Sequence, residues 1–189
     1  APAPAPQAAA GGGRALTGKG SFEVAAPPSA IWRALLDPET LRKVVPGAHT
    51  VNVVGENHYQ AEVSLGVGPI KGRFVADVRL SDLETERFAR LAGGMTGPLG
   101  GSEGTGDVTI TPTDAGCRLD YVYSVVVSGK VASVGGRMME RAAEIIIGQF
   151  FERLAATVGA PAVGGTASAR AGGLAGALAF LRSLLGRGQ

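Results

Sequence analysis

Apolar and polar positions along the middle of the chain alternate in short runs that predict strands, framed by two segments of helical spacing. Phe22 and Val24 share one face of a first strand. APPSAIWRALLDP opens a helix in which Ile31, Trp32, Leu35 and Leu36 recur at helical steps. Either Ser29 caps it or Pro28 occupies its first turn. Asp37-Pro38 breaks it, and a second short helix from about Glu39 to Val44 stops at Pro46-Gly47, because proline disfavours helical geometry in the residue before it. A meander comes next: HTVNVV, HYQAEVSLGV, KGRFVADVRLSD, RFARLAG, GTGDVTITPT and CRLDYVYSVVVSG. Tyr59, Ala61, Val63 and Leu65 alternate with Gln60, Glu62 and Ser64, and Phe74, Ala76, Val78 and Leu80 with Arg73, Asp77 and Arg79, so each strand wets one face. The expected sheet is antiparallel.

The meander ends at a long helix, expected from Lys130 to about Val158, roughly 28 residues or about 40 Å. Met139, Ala143, Ile146, Phe150 and Leu154 form a stripe, widened by Ile145, Ile147 and Phe151, while Glu140, Arg141, Glu144, Glu152 and Arg153 mark the wet side. A broad apolar side must meet the concave face of the sheet. Gly135, Gly136 and Gly148 remove side-chain volume along the helix, which either opens a cavity or lets the sheet approach closely.

Composition limits the folded part to less than the full 189 residues. The 30 glycines and 11 prolines exceed ordinary usage, and they concentrate at the ends. Residues 1–15, an Ala/Pro repeat running into glycines, are expected to be disordered, residues 16–158 to form the domain, and residues 159–173 to be a flexible linker. Residues 174–187, within LAGALAFLRSLLGRG, form a short amphipathic helix. An Ala at position 1 points to a trimmed or processed start, and the opening lacks the basic end and apolar stretch of a signal peptide.

Charge adds a second division. The 16 acidic groups all lie in residues 21–158, which carry −3, whereas both ends are purely basic. Nucleic-acid binding is disfavoured by that acidic domain. One cysteine and two histidines exclude a disulfide scaffold, a cysteine-rich metal site and a three-histidine centre, so no metal site is expected. His49 and His58 flank a turn and read as a surface pair. Cys117 reads as a core or edge thiol. No Ser/His/Asp spacing supports a nucleophilic triad, and no catalytic residue is assigned. Asp120 with Tyr121, or Glu62 with Arg73, are alternative polar contacts for a cavity. GGSEGTG at 100–106 lacks the lysine and strand–loop–helix context of a phosphate loop and reads as a flexible hairpin. Arg137 either anchors the long helix by ion pairing or meets a partner.

Three long blocks, in order, resemble a known family: FEVAAPPSAIWRALLDPETLRKVVPGAHTV at 22–51, HYQAEVSLGVGPIKGRF at 58–74 and VVVSGKVASVGGRMMERAAEIIIGQFFERLAA at 125–156. They resemble the carbon monoxide dehydrogenase CoxG family of the START/Bet v 1-like (SRPBCC, helix-grip) superfamily. The family's cysteine-bearing loop reads VVPGAH here, which puts a cysteine-dependent role at that loop in doubt. The resemblance implies an α+β helix-grip fold: a curved antiparallel sheet of six to seven strands on a long C-terminal helix, with two short helices after the first strand. It further implies a non-enzymatic accessory protein of a molybdenum-containing carbon monoxide dehydrogenase or related hydroxylase. Such a protein has no intrinsic cofactor, sits cytoplasmically on the inner face of the membrane, and holds a hydrophobic quinone (menaquinone or ubiquinone) or lipid in its cavity. The alternatives are a structural docking factor with no ligand, or a small-molecule cyclase- or hydrolase-like enzyme.

Trp32, Met95, Tyr123, Met138, Met139, Ile146 and Phe150 are the candidate cavity residues, because methionine and aromatic side chains suit a flat apolar ring; each is equally readable as core. Leu174, Leu178, Leu181 and Leu185 cluster on one helical face flanked by Arg182 and Arg187, the pattern of a segment lying in a lipid boundary. Too short to span, it needs a surface to fold against, whether membrane, partner or its own domain.

Overall fold

A computed structural model describes residues 13–159 and, as backbone, 162–172. The first strand, β1 (Arg14–Val24), is followed by helices α1 (Pro28–Leu36) and α2 (Pro38–Val44). Pro28 takes the first turn of α1, which starts from Pro27 without a side-chain cap; Ser29 does not cap it. The start of α2 is capped by Asp37, whose Oδ2 accepts from the Thr40 amide at 2.8 Å and the Thr40 hydroxyl at 2.6 Å. These two bonds hold the exposed Asp37 carboxyl below the usual carboxylate range.

Six strands come after them: β2 (Ala48–Gly55), β3 (His58–Val67), β4 (Ile70–Glu84), β5 (Phe88–Gly97), β6 (Gly100–Thr113) and β7 (Gly116–Ser128). Next are a 3-10 helix (Gly129–Val134), α3 (Gly136–Thr157) and β8 (Ala162–Gly172). The single sheet has the order β2-β3-β4-β5-β6-β7-β1-β8, antiparallel at every pairing. Since β1 docks beside β7, the α1–α2 connection carries the chain from one side of the sheet to its far edge.

Three expectations are corrected. The domain begins before residue 16, because β1 starts at Arg14 and pairs with β7 from Arg14↔Val127 onward; residues 1–12 lie outside the described residues. Ala162–Gly172, read from composition as linker, runs as an eighth strand on β1. The free edge of β1 offers a ladder of backbone donors and acceptors, and backbone pairing is indifferent to the small side chains that hide this strand in the sequence. The long helix is shorter than its apolar run, since Gly129 (φ 73°) and Gly135 (φ 93°) adopt conformations open to glycine and divide a 3-10 turn from α3. The glycine-rich run at 100–106 likewise lies inside β6, paired to β5 and β7, and is not a hairpin. A Cβ at Gly101 or Gly104 would strike the backbone of the neighbouring strand, so glycine there permits the close approach.

The packed interior is split in two. One cluster gathers Phe22, Ile31, Val44, Leu119, Phe151 and Leu154, with the Phe151 ring stacked on Phe22 at 5.1 Å and on Tyr121 at 5.3 Å. The other joins Val63, Phe74, Val127, Val131 and Met139 near the start of α3. Space remains between them.

Candidate functional site

That space is a cavity of about 560 Å³, within the range of small-molecule sites. It forms because α3 runs along the β1–β8 side of the sheet, leaving the curved β3–β6 surface without a helix directly on it. The inward alternation of each strand supplies the walls: Ala61, Val63 and Leu65 from β3, Phe74, Ala76 and Val78 from β4, Leu91 and Met95 from β5. Leu41 of α2, with Val45 and Pro46 beyond it, closes a side; Pro46 therefore lines the cavity as well as ending the helix. The room on the helix side comes from Ala142 and Ala143, which line the cavity. Gly135 and Gly148 do not, and a Cβ at either would meet no described atom within 4 Å.

Of the candidate residues, Trp32, Met95, Tyr123, Met139, Ile146 and Phe150 line this cavity. Met138 does not: it is 42% exposed at the first turn of α3 and packs on Gly68. A helix turns 100° per residue, so of two adjacent methionines only Met139 faces the sheet. Leu41, Val51, Ala142 and Ala143 join the lining without a chemical signal of their own. Strand and helix periodicities mark their faces as buried, yet periodicity does not distinguish a filled core from a hollow one. The face from Leu174 to Arg187 lies outside the described residues.

No charged residue lines the cavity. Its polar groups are few. The Tyr59 hydroxyl donates to the Leu36 carbonyl at 2.9 Å, tying the end of α1 to β3. The Tyr123 hydroxyl, pressed over Gly18 of β1, is buried with no hydrogen-bond partner among the described residues, and burial pushes it far above the ordinary phenol range. Glu62, Arg73, Asp120 and Tyr121 are not in the lining, and Asp120 instead accepts from Arg118 at 2.9 Å on the surface. The histidines do not face each other: His49 shares a hydrogen bond with Ser64 Oγ at 2.7 Å and His58 one with Asp77 at 2.8 Å. Buried Cys117 has its thiol pushed up by desolvation, which keeps it protonated. Among the described residues no group of three His, Cys, Asp or Glu is placed to hold a metal, and no helix is long and apolar enough to cross a membrane. What the arrangement can do is enclose an apolar body with one or two polar atoms.

Solved structures share the architecture. A conserved protein from Geobacillus kaustophilus is 28% identical, with a TM-score of 0.75 over 80% of this chain and 99% of its own. A START superfamily protein from Mycobacterium smegmatis (16% identical, TM-score 0.55, 78% of this chain and 98% of that one) has the same fold. So does Zhui aromatase/cyclase from Streptomyces sp. R1128 (15% identical, TM-score 0.53, 78% and 94%). No protein of curated function matches the sequence. Residues 20–159, which carry the strands, the two short helices and the long helix that build the cavity, match the carbon monoxide dehydrogenase CoxG family, and the chain belongs to that family, within the START-like helix-grip superfamily.

Proposed function

We propose that this protein is a membrane-associated accessory factor of a molybdenum-containing carbon monoxide dehydrogenase or a related hydroxylase. It acts without catalysis, holding a hydrophobic quinone, menaquinone or ubiquinone, in its cavity and bringing it to the enzyme at the inner face of the membrane. The observation that carries the reading is the uncharged cavity of about 560 Å³ in a chain of this family. A pure docking factor has no need of such space, and a filled interior would be more stable, since each unfilled volume forfeits dispersion contacts. A lining without any ionisable acid or base beyond two tyrosines suits carriage better than proton-transfer chemistry.

The test is native mass spectrometry with lipid extraction on protein purified from its host's membranes, with and without residues 174–189. The expected result is a stoichiometric quinone retained by both forms, with membrane association lost in the shorter one. Protein that is empty in both forms yet still sediments with the oxidase would refute carriage and leave docking.

A further inference from the structure

The two ends of the sheet differ in charge and polarity. At one end lie the β3–β4 turn (Gly68-Pro69), the β5–β6 turn (Pro98-Leu99), the 3-10 helix and the first turn of α3. They are one surface: the Val131 amide donates to the Leu99 carbonyl at 3.1 Å, Gly129 abuts Gly100, and Met138 packs on Gly68. Pro69, Pro98 and Met138 are exposed there. Around them stand five exposed cations: Arg14 opposite Val127, Lys71 and Arg73 beside the β3–β4 turn, Lys130 on the 3-10 helix and Arg137 on α3. None of the five has an ion-pair partner among the described residues. Glu103 and Glu140 are the nearest acids along the chain. The hairpin turns of the opposite end carry Glu56, Asp82, Glu84, Glu86 and Asp114, with Arg87 and Arg90 held in pairs by their acids.

The direction of β8 sets where the chain leaves the domain. It runs antiparallel to β1 with Ala15 opposite Gly172, so its last residue sits at the basic end beside Arg14. The seventeen residues after Gly172, with their leucines and Arg182 and Arg187, are thus attached to the rim that already carries exposed proline, methionine and unpaired cations. We infer that this end of the domain is itself a membrane-docking face: Pro69, Pro98 and Met138 rest on an anionic bilayer, Lys71, Lys130 and Arg137 meet its headgroups, and the acidic end faces away. The inference rests on the proposed membrane association and adds the orientation. Because Val67, Val131 and Met139 line the cavity just behind this rim, the orientation brings one end of the cavity close to the lipid.

Cosedimentation of the full chain with phosphatidylcholine vesicles, with and without phosphatidylglycerol, tests it. A juxtamembrane cation contributes about fivefold to partitioning on anionic lipid, so Lys71→Gln with Lys130→Gln is expected to lower it roughly 25-fold. Arg79→Gln with Arg87→Gln, exposed and toward the other end, is expected to leave it unchanged, and both pairs should melt as the parent does. If the Lys71/Lys130 pair binds as well as the parent, the inference is overturned while membrane association by residues 174–189 stands, and the basic end is left for an acidic protein partner. If the full chain binds no vesicle, the membrane reading falls with it.

Discussion

Replacing Tyr123 by Phe removes one oxygen that is buried and has no partner among the described residues. In water that hydroxyl is solvated in the unfolded chain, so burying it unpaired costs about 1–3 kcal/mol. The ring keeps its place, because it lies across Gly18 and between the paired glycines Gly18 and Gly106 of the flanking strands. Little new void forms. Tyr123→Phe is therefore expected to stabilise the protein by about 1 kcal/mol, about 2–4 °C in Tm for a chain of this size. Urea unfolding followed by circular dichroism should show a higher midpoint with an unchanged slope. Tyr59→Phe is the internal contrast: it loses a hydrogen bond of 2.9 Å to Leu36 and should cost about 0.5–1.5 kcal/mol. The alkaline limb gives a second readout. The Tyr123 phenol is raised in the fold by desolvation, so the folded state keeps its proton longer, and stability falls as pH rises past the unfolded phenol value of about 10. Tyr123→Phe should remove that part of the decline. A Tyr123→Phe protein as destabilised as Tyr59→Phe would refute the reasoning, because the hydroxyl would then have a partner.

Leu154 is fully buried where α3 meets the Phe22–Phe151 cluster, and Leu154→Ala should cost about 2–5 kcal/mol in the same assay. Trp32, the one tryptophan, lines the cavity, so a soluble quinone analogue should quench its fluorescence saturably. Ala143→Phe, which fills the helix side of the cavity, should weaken that binding at least about tenfold without unfolding the protein. Asp37 is held below the usual carboxylate range by Thr40, so the cap supports α2 above the unfolded carboxylate value and is lost as pH falls through its folded value. Acid titration of stability should have a shallower slope in Asp37→Ala.

Much of the fold is legible because periodicity reports which side of an element is buried. Phe74, Ala76 and Val78 mark the inner face of β4 by alternation alone, and Met139, Ile146 and Phe150 mark that of α3. The same signal fails for β8. An edge strand of alanine and glycine has no apolar alternation, and its existence depends on the free edge of β1, more than a hundred residues earlier in the chain. It fails also between neighbours such as Met138 and Met139, where composition suggests one role and helical phase assigns two.

Taken alone, then, the sequence determined the element order, the inward faces and the family, since these rest on local spacing and on long ordered blocks. Tertiary structure decided the rest. Whether the inward faces meet or stand apart depends on where α3 lies across the sheet, and that packing turns an apolar interior into two clusters around a cavity of about 560 Å³. Whether Tyr123 finds a hydrogen bond, and at which end the chain leaves the domain, depends on strand pairings between residues distant in sequence, which no local pattern encodes.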